Sequence, residues 1–209
     1  MQTSVFQRKL TRLQQPTYLN CMKNEIRNHE VENRINRELA KLGIAQELIA
    51  QKQLPFYLEA QELAIGETDA DGREYMMTPA TAAAWAKMKE AALQDNVILE
   101  VVSAFRSIDR QIEIIQNKLN RSMAIEQILT LSAPPGYSEH HTGCAIDINT
   151  PGCVATEEEF ENTEAYRWLA QHAVRFGFTL SYPRDNSLGF IYEPWHWCFQ
   201  PTSNIERSV

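Results

Sequence analysis

The sequence lacks the features that mark an exported, membrane-spanning or nucleic-acid-binding protein. Its first thirty residues are mixed and charged, without the apolar core of a secretory signal peptide. No apolar run is long enough to cross a bilayer. A basic excess is also missing, since the 209 residues carry a formal net charge of −7, which argues against a nucleic-acid partner. We therefore predict a cytoplasmic protein without a transmembrane segment, with periplasmic or extracellular export by a non-Sec route as the alternative.

Cysteine is scarce and irregularly spaced. The four cysteines, Cys21, Cys144, Cys153 and Cys198, form no C-x-x-C pair and no zinc-finger spacing. Because an export signal is missing, free thiols are the more natural interpretation, although the last three could lie close together in the fold. Internal repeats and low-complexity segments are also absent. The composition indicates an ordinary globular protein, with one domain and an extension.

Hydrophobic periodicity divides the chain into two parts. Apolar residues recur at helical spacing from Leu19 to Leu42, and Gly43 follows as a stop. A short second helix is expected over residues 45–53, ended by Pro55. We therefore predict an N-terminal helical extension over residues 1–53 and a second domain over residues 54–203. The extension could cover that domain, regulate access to it or form a dimer, and the oligomeric state is open.

The second part combines helices with short strands. Thr78-Pro79 is a strong helix start, and Ser107 can cap another helix. Strands rich in β-branched or aromatic residues are expected over residues 97–104, 144–149, 189–192 and 195–199. Thr156 and Glu159 are expected to form a capping box. The helices come first along the chain and the strands cluster later. This order predicts an α+β domain with a small, mainly antiparallel sheet flanked by helices.

The segment GYSEHHTGCAIDI, residues 136–148, places polar side chains inside an apolar run. On a strand the side chains alternate, so Asp147 points away from the apolar positions on either side of it. Gly143 lets the backbone turn and can bring His140 close to Asp147. A histidine and a carboxylate brought together in this way suit zinc. His141 is an alternative ligand, and a surface loop running into an ordinary strand also stays open.

The segment EPWHW, residues 193–197, is the candidate source of a third ligand. Pro194 excludes a helix interior, so His196 can enter a strand as a ligand while Glu193 lies near the metal without binding it. A catalytic zinc has three protein ligands and an open position for water. A carboxylate beside that position is a natural general base.

Three segments together resemble a known family. Residues 138–147, SEHHTGCAID, match the S-x-H-x-x-G-x-A-x-D signature of the LAS zinc peptidases. Residues 193–197 look like the E-x-W-H-W end of the VanY-type D-alanyl-D-alanine carboxypeptidases within that group. Residues 103–111, SAFRSIDRQ, resemble a further segment of the same group, and all three occur in the family's order. The resemblance covers roughly residues 54–199 and implies a LAS/VanY-like peptidase core.

The resemblance also implies a cofactor, a chemistry and a set of residues. Zinc would be held by His140, Asp147 and His196, and Glu193 would be the catalytic base that activates a zinc-bound water. The implied substrate-binding residues are Arg106, Gln111 and Ser138. The implied activity is hydrolysis of the C-terminal D-alanine of peptidoglycan peptides or precursors, by D,D- or L,D-cleavage.

Other functions are compatible with the same motifs. One is a peptidoglycan endopeptidase of the same fold, although Arg106 favours a carboxypeptidase because a guanidinium binds a terminal carboxylate with paired hydrogen bonds. Another is a zinc-dependent binding module without catalysis, which would be expected to lose Glu193. A third is a closed structural zinc site that recruits Cys144 or Cys198.

Overall fold

The computed structural model describes the backbone of residues 15–200 and the side chains of residues 28–200. Six α-helices lie in this range: α1 (Gln15–Lys41), α2 (Gln46–Lys52), α3 (Pro79–Gln94), α4 (Ile108–Asn120), α5 (Ile125–Leu131) and α6 (Glu164–His172). The strands are β1 (Ala64–Thr68), β2 (Glu74–Met77), β3 (Glu100–Ser103), β4 (Ala145–Asn149), β5 (Phe178–Leu180) and β6 (His196–Phe199). Short 3₁₀ turns span Glu139–Thr142, Glu158–Asn162 and Ala173–Phe176.

The described residues form two compact units, one that ends at Arg37 and one that begins at Glu38. The apolar positions predicted near the start of α1, and Cys21, lie outside the residues whose side chains are described. Residue 203, the predicted end of the second domain, also lies outside the described range, and the boundary at residue 53 stays a prediction. None of the helices in the described range is long and apolar enough to cross a membrane.

Both sheets in the described range are antiparallel. β1 and β2 form a two-stranded hairpin, and the other strands form a four-stranded sheet in the order β3-β4-β6-β5. The predicted α+β class with a small antiparallel sheet is therefore confirmed. β4 lies in the interior of the sheet, where Asp147 pairs with His196 on one side and with Ser103 on the other.

The core covers one face of the four-stranded sheet. Trp85 and Met88 from α3 and Leu169 from α6 are buried against Ile146 and Ile148 of β4. The alternation predicted for this strand is confirmed, because its isoleucines belong to the core. The neighbouring Asp147 belongs to the opposite face.

Two predicted helix starts fix segments that flank the site. The Thr78 hydroxyl accepts a hydrogen bond from the Thr81 N–H at 3.2 Å, and Pro79 occupies the first turn of α3. The Ser107 hydroxyl accepts from the Arg110 N–H at 3.1 Å and begins α4. Because Ser107 caps the helix, the residue before it, Arg106, has a fixed backbone position.

Two local predictions were wrong. Thr156 has a φ of 59° in the left-handed region, so it cannot be the extended cap of a helix, and the following turn begins after Glu157. The segment 189–192 is irregular, because the Ile191 N–H bonds to the Thr130 carbonyl of α5 at 3.0 Å instead of to a neighbouring strand.

Candidate metal centre and substrate cleft

Three buried side chains from neighbouring elements meet at one point. Asp147 of β4 faces His196 of β6 across the sheet, and His140 comes from the 3₁₀ turn just before β4. One ligand atom from each residue lies within 4.8 Å of the others. Asp147 Oδ2 is 3.3 Å from His140 Nε2, and Asp147 Oδ1 is 3.0 Å from His196 Nδ1. The structure therefore brings together the three ligands predicted from the sequence.

Gly143 makes the turn that aims His140 at Asp147. Its φ of 66° is left-handed, and a Cβ there would lie 3.1 Å from both the Leu63 side chain and the Thr78 backbone nitrogen. Backbone conformation and close packing thus both favour glycine at this position.

The hydrogen bonds of His140 fix its tautomer. Its Nδ1 lies 2.7 Å from the carbonyl oxygen of Ala104, which can only accept a hydrogen bond. Nδ1 therefore carries the proton, and the lone pair of Nε2 points towards Asp147. This is the tautomer that a metal ligand needs.

His196 is oriented in the same way by a residue that the sequence analysis missed. Its Nε2 lies 2.9 Å from Glu139 Oε2, and Nδ1 faces Asp147. The Ser181 hydroxyl donates to the same Glu139 oxygen at 2.6 Å. Burial raises the pKa of Glu139, but its bonds to His196 and Ser181 outweigh burial and lower it overall, so this carboxylate is ionised. A carboxylate behind a histidine ligand is the usual arrangement around zinc.

The electrostatics of the triad favour a cation. Burial lowers the pKa of His196, but its hydrogen bonds to Asp147 and Glu139 dominate and raise the pKa to about 10. Burial raises the pKa of Asp147, but the two histidines lower it far more. The surrounding carboxylates thus stabilise positive charge at this point, which a divalent ion supplies.

The donor set and its spacing fit zinc. Tetrahedral ligands at about 2.0–2.1 Å from zinc lie roughly 3.3 Å from one another, and one donor atom from each residue of the triad lies within 4.8 Å of the others. Within the described residues, this is the only cluster of three or more His, Cys, Asp or Glu side chains that could hold a metal ion. Cys144 and Cys198 are free thiols outside the triad, as is Cys153. Three protein ligands correspond to a catalytic rather than a closed structural site.

His141 has a different role from its neighbour. Its Nδ1 donates to the Arg106 carbonyl at 2.6 Å, and its Nε2 accepts from the Gly136 N–H at 3.1 Å. Burial lowers the pKa of His141 to about 4, so the ring is neutral. Both nitrogens are occupied by the backbone, which leaves no lone pair for a metal. His141 instead ties the Arg106 segment to the loop that carries Ser138.

Arg106 lies beside the triad and is held by two neighbouring side chains. Its Nη1 donates to Gln111 Oε1 at 3.0 Å, its Nη2 donates to Ser103 Oγ at 3.1 Å, and Nη2 is 3.7 Å from Asp147 Oδ2. Gln111 is fully buried and its amide also donates to the Ala133 carbonyl at 2.7 Å. Gln111 therefore orients Arg106, whereas direct contact of Gln111 with substrate stays a prediction.

A cleft of about 320 Å³ opens on the triad. Glu193 lines it, with Oε2 3.8 Å from His196 Nδ1. The backbone of Glu193 is fixed from both sides, because its N–H donates to the Tyr182 carbonyl and its carbonyl accepts from the His196 N–H. Further lining residues are Arg106, Lys118, Ser138, Thr156, Phe190 and Ile191. Four of the predicted site residues, Arg106, Ser138, Asp147 and His196, thus share one cleft with Glu193.

Glu139→Gln tests the contact behind His196. Glutamine can still accept the hydrogen bond but removes the negative charge, so we expect the zinc dissociation constant to rise on the order of 10- to 100-fold. Competition with a chromophoric chelator measures this constant. Glu90→Gln, at an exposed position of α3, is the matched control and should leave it unchanged. Wild-type zinc affinity in Glu139→Gln would contradict the role given to Glu139.

Comparison with known proteins places these features in a family. The family model of the VanY D-alanyl-D-alanine carboxypeptidases matches residues 74–202. A D-alanyl-D-alanine carboxypeptidase from Enterococcus faecalis is 36% identical over 118 residues, which are 52% of this chain and 42% of that protein. The chain thus spans less than half the length of this curated relative.

Two solved structures are similar to this chain. The LdcB LD-carboxypeptidase is 30% identical with a TM-score of 0.62, over 69% of this chain and 71% of that one. A mutant of the vancomycin resistance D,D-pentapeptidase VanY, from a VanB-type cassette and in complex with Zn(II), is 30% identical with a TM-score of 0.53, over 70% and 82%. The zinc found in that structure and the donor set found here confirm the predicted cofactor.

Proposed function

The chain belongs to the VanY family of D-alanyl-D-alanine carboxypeptidases, and on that premise we propose that it is a zinc-dependent carboxypeptidase. It removes the C-terminal D-alanine of peptidoglycan peptides or precursors. The observation that carries the proposal is the buried triad of His140, Asp147 and His196 at the base of a cleft that also holds Glu193. Retention of Glu193 favours an enzyme over a binding module, which has no need of a base.

The triad and the residues around it have different roles in peptide hydrolysis. His140, Asp147 and His196 would hold zinc, which would supply a Lewis acid for the scissile carbonyl and lower the pKa of water so that a base can deprotonate it. Glu193 accepts a proton from the attacking water as the new C–O bond forms. The same carboxyl group then donates that proton to the amine nitrogen as the C–N bond breaks, so the D-alanine leaves with a neutral amine.

Arg106 supports the same reaction. Its guanidinium is buried beside Asp147, where burial lowers its pKa without coming near to neutralising it. A fixed cation in this place stabilises negative charge on substrate oxygens, with no reorganisation at the moment of reaction. Gln111 and Ser103 hold the guanidinium in that position before the substrate arrives.

Mass spectrometry of peptide cleavage tests the proposal. Zinc-loaded protein is incubated with a wall pentapeptide ending in D-Ala-D-Ala and, separately, with the tetrapeptide that has lost one D-alanine. We expect loss of a single terminal D-alanine, abolished by a chelator, and the peptide that reacts distinguishes D,D- from L,D-cleavage. Internal cleavage would favour the endopeptidase. No cleavage of either peptide, with zinc bound, would contradict the proposed activity.

A further inference from the structure

The cleft contains a second cation, Lys118, that has no role in the chemistry described above. α4 presents Gln111, Ile114 and Lys118 at spacings of three and four residues, so the three lie along one face of the helix. Ile114 and Lys118 both line the cleft. Lys118 lies seven residues beyond Gln111, or about 10 Å along the helix axis, and lines the same cleft as Asp147 and His196.

Lys118 has a neutral hydrogen-bond partner and, among the described residues, no ion pair. Its Nζ donates to the Ser132 hydroxyl at 2.7 Å, and within residues 28–200 no ion pair joins it to a carboxylate. By contrast, Lys89 pairs with Glu67, and Arg184 pairs with two glutamates. A half-buried ammonium with one neutral partner keeps two N–H donors for an anion. Burial lowers the pKa of Lys118, the effect expected of a desolvated cation without an ion-pair partner.

A carboxypeptidase substrate carries an anion close to the reacting bond, namely its terminal carboxylate. Its terminal carboxylate lies one residue, about 3.8 Å of chain, beyond the reacting carbonyl. Arg106 already donates to Gln111 and Ser103, and it lies 3.7 Å from Asp147, whose negative charge it offsets. Lys118 lines the same cleft and keeps N–H donors that no carboxylate of the described residues occupies, so it is available for the carboxylate. The charge of Glu193 raises the pKa of Lys118 and the charge of Arg106 lowers it, so Lys118 lies close enough to interact electrostatically with both groups.

We propose that Lys118, held by Ser132, binds the terminal carboxylate of the peptide and thereby makes the cleft selective for chain ends. This assignment rests on the proposed function. It gives the role of binding the carboxylate to Lys118 instead of Arg106, which the sequence favoured. The competing interpretation is structural, because a lysine in the last turn of α4 also stabilises the helix dipole. A structural role would affect every substrate equally, whereas carboxylate binding distinguishes a free acid from its amide.

The test compares two forms of one peptide. The wild type and Lys118→Met are assayed on an acetylated peptide ending in D-Ala-D-Ala, or on the shorter peptide if that is the one cleaved, as the free acid and as the C-terminal amide. We expect kcat/KM for the acid to fall on the order of 10- to 100-fold in Lys118→Met, the range of a hydrogen bond to a charged group, and kcat/KM for the amide to stay unchanged. An equal loss on both forms, or no loss, would overturn the assignment.

Two further variants separate charge from folding. Lys118→Arg keeps a cation at this position and should retain the preference for the acid. Lys87→Met makes the same substitution at an exposed position of α3, outside the cleft, and should behave as wild type.

A binding measurement separates this inference from the proposed activity. Calorimetry with D-alanine, the leaving group, which carries the carboxylate and no amide bond, needs no turnover. We expect a dissociation constant raised on the order of 10-fold or more in Lys118→Met. If neither peptide is cleaved but binding still depends on Lys118, the carboxylate site stands and the proposed activity fails. If peptides are cleaved and binding is the same in both proteins, the activity stands and the carboxylate site fails.

Discussion

Glu193→Gln is expected to lower kcat about 10²- to 10⁴-fold, the contribution typical of one general acid–base group. Glutamine preserves the shape of the side chain but can neither accept a proton from water nor return it to the leaving amine. KM should change little, because Glu193 acts on the reacting atoms and no ion pair to the substrate is assigned to it. Zinc content should equal that of the wild type, since Glu193 lies outside the triad.

The pH profile gives this variant a second readout. Burial raises the pKa of Glu193 to about 7, against the opposing charges of His196 and Arg106. Zinc beside it adds positive charge and lowers that pKa. The base works only when ionised, so kcat/KM of the wild type should fall tenfold per pH unit once the pH is below this zinc-lowered pKa, at a pH below about 7. The residual activity of Glu193→Gln should lack this limb.

Stopped assays of zinc-loaded protein between pH 4.5 and 8 measure both effects. Glu159→Gln, at an exposed glutamate, is the control and should match the wild type. Wild-type kcat in Glu193→Gln, with zinc retained, would remove Glu193 from the mechanism. An unchanged acidic limb in the variant would assign that limb to another group.

Removal of zinc is expected to have the largest effect of all. A Lewis acid at the scissile carbonyl contributes several kcal/mol, so the apo protein should lose at least about 10³-fold in activity. The Ala104 carbonyl orients the His140 ring at 2.7 Å, and Glu139 orients the His196 ring at 2.9 Å. The triad is therefore preorganised by its neighbours, and activity should return on addition of zinc without refolding.

The triad could be predicted because its residues carry local signals. Asp147 interrupts an apolar strand, Gly143 marks the turn before it, and Pro194 precedes His196 in a short aromatic segment. Alternation along β4 correctly separated Asp147 from the core isoleucines. The register that sets Asp147 opposite His196 could not be derived, because it joins residues 49 positions apart.

Glu139 and Lys118 were missed because their partners are distant in sequence. Glu139 directly precedes a predicted ligand, yet its contact is with His196, 57 residues away. Lys118 follows Gln111 on the same helical face, but a lone lysine on an amphipathic helix is typical of a solvated surface. In each case the proposed role depends on tertiary placement rather than on a local pattern.

The two wrong local predictions also lie at the cleft. Thr156, taken for a helix cap, lines the cleft in a left-handed conformation. The aromatic segment around Phe190 and Ile191 has strand-like composition, but it bonds to α5 and forms a wall of the cleft. Local rules of sequence are often broken where a chain builds a binding surface, because tertiary contacts there override local preference.

Titration of the apo protein with zinc, followed by release of D-alanine from the reactive wall peptide, tests the central claim most directly. The account predicts that activity rises linearly and reaches its plateau at one zinc per chain, and that Asp147→Asn needs a large excess of zinc or stays inactive. Activity in the apo protein, or one tightly bound zinc per wild-type chain with no release of D-alanine from either wall peptide, would contradict it.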